Sequence, residues 1–187
     1  MTKRMFDLLI VLVSGCALAF PFLAIMLLIK VSSRGPIFYW SKRVGQYGVF
    51  FLMPKFRTMR METPEVATDM LENPGLYLTP IGSFLRKTSL DELPQLISVL
   101  KGDMSVVGPR PALHNQHDLI EARRLNGIDL LLPGITGWAQ VNGRDKIELD
   151  EKVKLDREYL ENQSISLDIK IMAKTILAVL SARSITH

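Results

Sequence analysis

Residues 8–29 are 22 consecutive side chains without a charge, and this run constrains the fold more than any other part of the chain. As a helix the run would be about 33 Å long, enough to cross a hydrocarbon layer of roughly 30 Å. Pro21 lies inside the run, removes one helical hydrogen bond and predicts a kink. The halves on either side of the kink would be about 20 and 13 Å long, so neither would cross the layer alone.

Basic residues flank the apolar run on both sides. Because Lys and Arg favour the cytoplasmic face of a membrane, the two flanks give a crossing helix no preferred direction. A bent helix that enters and leaves through the same face satisfies both flanks, and a straight transmembrane helix is the alternative. A cleaved signal peptide fits less well, because its small-residue cleavage site would have to follow the apolar run. The flanking residues are Lys3, Arg4, Lys30, Arg34, Lys42 and Arg43.

Charge is unevenly divided along this 187-residue chain, which has the length of about one domain. Residues 1–60 carry a formal charge of +8 and the remainder carry −4. Because the basic segment is also the apolar one, it indicates an anionic membrane surface before nucleic acid. The single cysteine, Cys16, excludes an internal disulfide framework and a zinc site built from cysteines.

Beyond residue 35 the pattern predicts short elements of both kinds. Residues 37–40 and 49–53 are apolar runs separated by glycines, consistent with strands or short bent helices. A helix is predicted to begin between Asp91 and Leu93 and to close at Gly102. Another helix is predicted over 114–126, and a loop or hairpin over 130–145. The apolar run 165–180 predicts a helix lying either flat in the membrane interface or in the core of a small domain.

Two adjacent carboxylates, Asp91 and Glu92, stand at one of these predicted helix starts. A helix N-terminus stabilises an anion, so it keeps a carboxylate ionised and able to attack a substrate or bind a metal. Ser89 and Glu92 also have the spacing of a capping box, in which both side chains only satisfy backbone donors. For this pair alone, capping and chemistry both stay open.

Cations elsewhere in the sequence favour chemistry over capping. Arg110 stands between Pro109 and Pro111, which restrict its backbone and lower the entropy lost when it binds an oxyanion. Arg144 follows an Asn-Gly turn that would fix it similarly. Fixed arginines beside a carboxylate pair suggest a diphosphate substrate and Mg²⁺, an ion that carboxylates and phosphates share. The other candidate cations are Lys55, Arg57 and Arg86; the alternative is that such residues are solvated or contact lipid headgroups.

Signatures of two other kinds of site are missing or incomplete. The sequence has no P-loop and no G-x-G-x-x-G motif, so a kinase, an ATPase or a Rossmann enzyme would lack its phosphate cradle. His114 and His117 could share one helical face, but without a third ligand nearby a surface or structural role is favoured over zinc.

An ordered series of motifs covers essentially the whole chain. It consists of Lys3-Arg4-x-x-Asp7, Arg34-Gly35-Pro36, Arg43-Val44-Gly45, Lys55-Phe56-Arg57-Thr58-Met59, LRKTSLDELPQ at 85–95, GDMSVVGPRP at 102–111, PGITGWAQ at 133–140, Asn142-Gly143-Arg144, Leu155-Asp156 and Leu167-Asp168. In these motifs the chain resembles the small monotopic phosphoglycosyl transferases, a group of bacterial sugar transferases. The chain is similar to the minimal form of that family, because it holds the catalytic core and little else.

The resemblance implies transfer of a sugar 1-phosphate from a UDP-sugar to a polyprenol phosphate such as undecaprenyl phosphate. This Mg²⁺-dependent reaction releases UMP and initiates glycoconjugate biosynthesis, including that of polysaccharides and glycoprotein glycans. By the same likeness Asp91 is the nucleophile that forms an aspartyl-phosphosugar and a ligand of the metal, while Glu92 is the base or an orienting group. The implied substrate-binding residues are Lys55, Arg57, Arg86, Arg110, Arg144 and Asp156.

The resemblance also implies a topology and a location. We expect a mixed α/β fold, mainly helical, with a re-entrant membrane helix in 1–35, bent at Pro21, and a catalytic domain in 36–187. That domain would face the cytoplasm on the bacterial inner membrane and contact inner-leaflet phospholipid, in part through an amphipathic helix near 165–180. Further expected partners are downstream glycosyltransferases, and no nucleic acid. In the family a serine commonly precedes the kinking proline, whereas Phe20 stands here.

Two rival functions come from other classes of protein. In a membrane-anchored binding module without activity, the cations would serve anionic lipid and the carboxylates would cap a helix. In a membrane-tethered nucleic-acid-binding protein, binding would depend strongly on salt, although the sequence shows no recognised motif for it.

Overall fold

The computed structural model describes residues 2–63, 73–143 and 147–180. The described part is a mixed α/β fold that is mainly helical, as predicted. Its helices are α1 Thr2–Ser32, α2 Gly82–Lys87, α3 Gln95–Lys101, α4 His117–Leu125, α5 Trp138–Asn142, α6 Leu149–Glu161 and α7 Ile165–Leu180. Its strands are β1 Phe38–Val44, β2 Phe50–Phe56, β3 Ser105–Val107 and β4 Gly134–Thr136.

The apolar run lies within α1, a 31-residue helix that continues through Pro21. Within the described residues it is the one helix long and apolar enough to cross a membrane. Pro21 has no N–H to donate to the carbonyl of Ala17. The nearby Ser14 hydroxyl donates instead to the carbonyl of Ile10, at 2.5 Å, so Ser14 does not replace the serine that the family commonly carries before the proline.

Both ends of α1 pack against the same globular part of the chain. Near the N-terminus, Val11 is buried in the main apolar cluster, and Arg4 donates a hydrogen bond to the carbonyl of Leu100 at 2.9 Å. Near the C-terminus, Ile29 is fully buried in a second cluster. No side chain in 12–24 is buried. The two ends therefore dock on the domain, while the middle of the helix presents apolar side chains outward.

A buried polar network holds the N-terminal end of α1 in place. The carboxylate of Asp7 accepts hydrogen bonds from the hydroxyl of Ser105, at 2.9 Å, and from the N–H of the following residue, at 3.2 Å. Lys3 forms an ion pair with Asp168 at 2.7 Å, and the hydroxyl of Tyr159 donates to the same carboxylate at 2.7 Å. Because buried carboxylates need such partners, this network links α1 to β3, α6 and α7.

The two apolar runs after α1 are strands, joined as the antiparallel hairpin β1–β2 with Tyr39 opposite Lys55 and Arg43 opposite Phe51. The chain turns between them at Tyr47 and Gly48, both with positive φ. Met53 and Phe56 of β2 are buried in different apolar clusters, because they lie on opposite faces of the strand. Residues two apart in a strand share a face, so the half-buried side chain of Lys55 lies on the same face as Met53.

Strands β3 and β4 form a short parallel pair that the sequence did not predict. Their junction depends on three glycines, because a Cβ on Gly134 or Gly137 would clash with backbone atoms of Gly108. Gly108 directly precedes the segment 109–111, so the close approach of these two backbones fixes where that segment leaves the sheet. The predicted loop or hairpin over 130–145 consists, in its described part, of β4 and α5.

The helix predicted after the carboxylate pair begins differently from the expectation. Residues Leu90–Glu92 form a turn of 3-10 helix, and α3 follows from Gln95. The predicted capping box is wrong: Ser89 is left-handed, with φ of 56°, and its side chain makes no capping hydrogen bond. Gly102 closes α3 with φ of 95°, as predicted.

Helix α7 has the predicted bounds and two distinct faces. Asp168 and Ile171 are fully buried against the domain. Its large exposed apolar residues are Ile165, Ile169, Ile176 and Leu177. The helix therefore contributes to the core with one side and leaves an apolar side uncovered. Helix α6, which the sequence analysis did not predict, packs against α4 and α5.

We expect Gly134→Ala to destabilise the protein by about 1–3 kcal/mol, because the new methyl group forces the β3 and β4 backbones apart. The matched control is Gly75→Ala, where no atom lies within 4 Å of the added carbon. The measurement is thermal unfolding of both variants in detergent micelles, followed by tryptophan fluorescence. Equal unfolding temperatures for the two variants would show that the backbones at Gly108 and Gly134 do not approach closely.

Candidate active site

The carboxylate pair lies in the 3-10 turn that precedes α3, opposite the hairpin strand β2. From β2, Lys55 places its Nζ atom 2.7 Å from Oε1 of Glu92 and 4.0 Å from Oδ2 of Asp91. Arg110, from the segment after β3, places its guanidinium 3.0 Å from the same Glu92 oxygen. Predicted site residues that are far apart in the sequence thus meet at one place.

Glu92 is held ionised by this arrangement. Burial alone would raise the pKa of Glu92, but the charges of Arg110 and Lys55, and their hydrogen bonds to it, outweigh burial and hold its pKa well below the ordinary value. A carboxylate held in this way is a weak base. It is also a fixed anchor that keeps both cations beside the neighbouring carboxylate.

Asp91 differs from Glu92 although the two are adjacent in sequence. It is 8% exposed and accepts no hydrogen bond from Lys55, whose ammonium lies 4.0 Å away. Burial raises the pKa of Asp91 to about 6, with Glu92 adding to the rise, while the charges of Lys55, Arg86 and Arg110 oppose it. At neutral pH most of the Asp91 carboxylate is therefore ionised, and it is less tightly held than Glu92.

Two further arginines border the pair. Arg86, at the end of α2, donates from Nε to the hydroxyl of Thr58 at 3.0 Å. Burial lowers the pKa of Arg86, and the charge of Asp91 partly compensates for this. Arg43 of β1 donates to the carbonyl of Pro111 at 3.1 Å. Its pKa is lowered to about 10 by burial and by Arg110, so it stays charged at neutral pH.

Sequence reasoning missed Arg43 and Arg123 as part of this region. The sequence places Arg43 among the flanks of the apolar run and in the Arg43-Val44-Gly45 motif, and that motif is the signal that could have assigned it to the site. Arg123 lies in no motif, so no signal in the sequence distinguished it from a surface residue of α4. Its importance depends on contacts that only the tertiary structure makes.

Arg57 directly follows β2, two residues after Lys55, but its guanidinium binds the end of α1. It is 5% exposed and donates to the carbonyls of Pro36 and Arg34, each at 2.7 Å, and to the carbonyl and hydroxyl of Ser33. These acceptors belong to the chain that leaves α1. The structure thus gives Arg57 a structural contact with the end of the apolar helix, and its predicted contact with substrate stays a prediction.

Asp156 and Arg144 complete the predicted set. Asp156 is 1% exposed and binds Arg123 of α4 through two hydrogen bonds to its Oδ2 atom, at 2.6 and 3.0 Å. Burial raises its pKa above the ordinary value, against the lowering effect of Arg123. Arg144 lies outside the described residues, so its predicted role stays a prediction.

The carboxylates of this region suit a metal ion that is also bound by a substrate, rather than one bound by protein side chains alone. Among residues 2–63, 73–143 and 147–180, no group of three or more His, Cys, Asp or Glu side chains could hold a metal ion, and His114 and His117 belong to no such group. Mg²⁺ is commonly held by one or two carboxylates together with substrate phosphates. Asp91, with two carboxylate oxygens and no close hydrogen bond, fits that arrangement.

Paired carboxylates among fixed ammonium and guanidinium groups are typical of sites for phosphorylated substrates. The comparison with known families agrees. The family model described as bacterial sugar transferase matches residues 1–182. The chain therefore belongs to the bacterial sugar transferase family, and the predicted resemblance is confirmed.

Several curated relatives support this membership. The exopolysaccharide production protein ExoY of Sinorhizobium fredii is 38% identical over 97% of this chain and 87% of its own length. The UDP-glucose:undecaprenyl-phosphate glucose-1-phosphate transferase of Escherichia coli is 44% identical over 81% of this chain and 34% of its own length. The undecaprenyl-phosphate galactose phosphotransferase of Salmonella typhimurium is 39% identical over 95% of this chain and 40% of its own length. The first relative is thus matched almost throughout, and the other two over about a third of each protein.

We expect Arg57→Lys to destabilise the protein by about 3 kcal/mol, because lysine cannot replace the hydrogen bonds that the guanidinium donates around residues 33–36. The matched control is Arg60→Lys on the same segment, where the side chain is exposed. Thermal unfolding in micelles measures the difference. If both variants unfold at the same temperature as the wild-type protein, the contact between Arg57 and the end of α1 contributes nothing to stability.

Proposed function

We propose that this protein transfers a sugar 1-phosphate from a UDP-sugar to a polyprenol phosphate, through a covalent aspartyl-phosphosugar. The main observation behind this proposal is that the two buried carboxylates are bound differently. Asp91 is ionised and loosely held, while Glu92 is fixed by Lys55 and Arg110. Family membership and the relatives' names, which include undecaprenyl-phosphate glucose and galactose transferases, support the same reaction.

In the first step an oxygen of Asp91 attacks the β-phosphorus of the UDP-sugar. The bond from Asp91 to phosphorus forms as the phosphoanhydride bond breaks, and its electron pair leaves with UMP. In the second step a phosphate oxygen of the polyprenol phosphate attacks the same phosphorus. That attack restores the Asp91 carboxylate and leaves a polyprenyl diphosphate sugar, so no water or redox partner is needed.

The surrounding cations lower the cost of bringing a diphosphate to an ionised carboxylate. Lys55, Arg86 and Arg110 all interact electrostatically with Asp91, so they lie where charge accumulates on the transferring phosphoryl group. Glu92 has a strongly lowered pKa, which favours an orienting role over that of a general base. Mg²⁺, when bound by Asp91 and the diphosphate, would neutralise further charge on the donor.

The location of the pair suits an acceptor whose tail stays in a bilayer. Leu90 and Leu93, on either side of the two carboxylates, pack against the cluster that contains Ile25 and Ile29 of α1. A lipid phosphate confined near the point where α1 enters a membrane would therefore be close to Asp91. Such confinement raises the effective concentration of the acceptor at the reacting phosphorus.

The re-entrant topology belongs to this proposal. Both ends of α1 dock on one domain while 12–24 carry no buried side chain, as a helix that enters and leaves one leaflet requires. Helix α7 adds an exposed apolar face, and its Lys170 and Lys174 lie beside that face over the ring of Trp138, at 5.6 and 4.7 Å. We propose that α7 rests in the headgroup region of the inner leaflet, with the catalytic domain in the cytoplasm.

We expect Asp91→Asn to lower turnover by at least about 10³-fold, because an amide cannot act as the nucleophile. Glu92→Gln should slow the reaction less, by about 10- to 100-fold, since this substitution only weakens the contacts that hold Lys55 and Arg110 in place. The assay measures UMP release and transfer of label from donors with a radioactive β-phosphate, using UDP-glucose, UDP-galactose and other UDP-sugars with undecaprenyl phosphate and Mg²⁺.

Asp118→Asn is the control for the charge change, because Asp118 is exposed in the first turn of α4. It should keep wild-type turnover, and all variants should still sediment with membranes. Label on the wild-type protein that hydroxylamine releases would support an acyl phosphate. Label that persists in Asp91→Asn would place the nucleophile elsewhere, and a wild-type protein that releases no UMP from any donor would favour the binding module.

For topology we expect cysteines at both ends of α1 to face the same compartment. In a Cys16→Ala background, Thr2→Cys and Val31→Cys introduce thiols at exposed positions outside the uncharged run. A membrane-impermeant maleimide should label both in inside-out vesicles and neither in right-side-out vesicles. One labelled thiol in each kind of vesicle would instead show that α1 spans the membrane.

A further inference from the structure

A buried ion pair contacts the backbone of Arg110, the residue whose side chain binds Glu92. Arg123 of α4 donates to Oδ2 of Asp156 of α6 from both Nε, at 3.0 Å, and a terminal nitrogen, at 2.6 Å. Arg123 is 8% exposed and Asp156 is 1% exposed. Asp156, which lies in one of the motifs named above, is thus almost completely covered and paired with Arg123.

Arg123 also donates a hydrogen bond to the backbone of the site. The other terminal nitrogen of Arg123 donates to the carbonyl of Arg110 at 2.7 Å. The side chain of that same residue binds Glu92 at 3.0 Å. An unbroken series of contacts thus runs from Asp156 through Arg123 to the backbone of Arg110, and from its side chain to the carboxylate pair.

A second guanidinium holds the backbone one residue further on. Arg43 of β1 donates to the carbonyl of Pro111 at 3.1 Å and is itself held by the hydroxyl of Ser41 at 3.0 Å. Two consecutive carbonyls therefore each bind a buried or half-buried arginine. Pro109 and Pro111 further restrict the backbone dihedrals around Arg110.

We propose that Asp156 and Arg123 are positioning residues, which fix the backbone of Arg110 so that its guanidinium meets Glu92 and the donor's diphosphate. This inference rests on the proposed function and deepens it. A buried ion pair is often no more stabilising than apolar residues of the same volume. Its directed hydrogen bond to one carbonyl of the site is therefore better explained by positioning than by stability.

The test compares Asp156→Asn and Arg123→Lys with wild type, in the full chain reconstituted in lipid nanodiscs. Turnover is measured at neutral pH with the UDP-sugar that the wild-type protein uses best. We expect both variants to lose about 10- to 100-fold in kcat/KM. Arg123→Lys keeps the buried positive charge, so it provides the test if Asp156→Asn does not fold.

A double-mutant cycle separates positioning from general destabilisation. In an Arg110→Lys background, Asp156→Asn and Arg123→Lys should each lower kcat/KM by less than about 3-fold, because the side chain that they position has already been changed. The matched control is Glu121→Gln, which breaks the exposed ion pair with Arg124 on the same helix and should leave turnover unchanged.

The outcomes distinguish this inference from the proposed function. A wild-type protein without sugar-phosphate transfer would overturn the proposed function itself. Suppose instead that the wild-type protein does transfer sugar phosphate, and that the loss from Asp156→Asn or Arg123→Lys multiplies with the loss from Arg110→Lys. That result would overturn only the positioning role. Wild-type kinetics in both folded variants would overturn it too.

Discussion

The site depends on keeping two adjacent carboxylates ionised where little water reaches them. Such a pair is unfavourable unless cations are fixed beside it, and here Lys55 and Arg110 come from separate elements to bind Glu92. The two carboxylates differ as a result: two cations bind the ionised Glu92 directly, whereas the pKa of Asp91 is raised and Lys55 lies 4.0 Å from it. That inequality is the physical basis for assigning attack to one carboxylate and orientation to the other.

The apolar helix and the site are parts of one assembly. At its N-terminal end α1 is tied through Asp7 to β3, and β3 continues into the segment that carries Arg110. At its C-terminal end α1 is tied through Arg57 to β2, the strand that carries Lys55. The two cations of Glu92 are thus each one strand away from an end of the helix, which explains how a site built from short elements is held close to the apolar helix.

Much of the site's membership could be predicted from the sequence, but not its arrangement. Asp91, Glu92, Lys55 and Arg110 were named from residue type, spacing and resemblance, and they do meet in the fold. The capping box failed because local spacing cannot reveal the left-handed backbone of Ser89. The roles of Arg57 and Arg123 could not be predicted either, because their acceptors are carbonyls distant in sequence, which carry no residue-specific signal.

The sequence by itself determined the apolar helix, the two short apolar runs that form β1 and β2, the bounds of α7 and the family. These follow from periodicity, from uncharged length and from motif order, which are properties of neighbouring residues. Only the tertiary structure decided which end of each strand faces the carboxylates, the pairing of β3 with β4, and the contact of Asp156 with Arg123. Those features arise from packing between distant segments, where burial and close backbone approach set both geometry and charge.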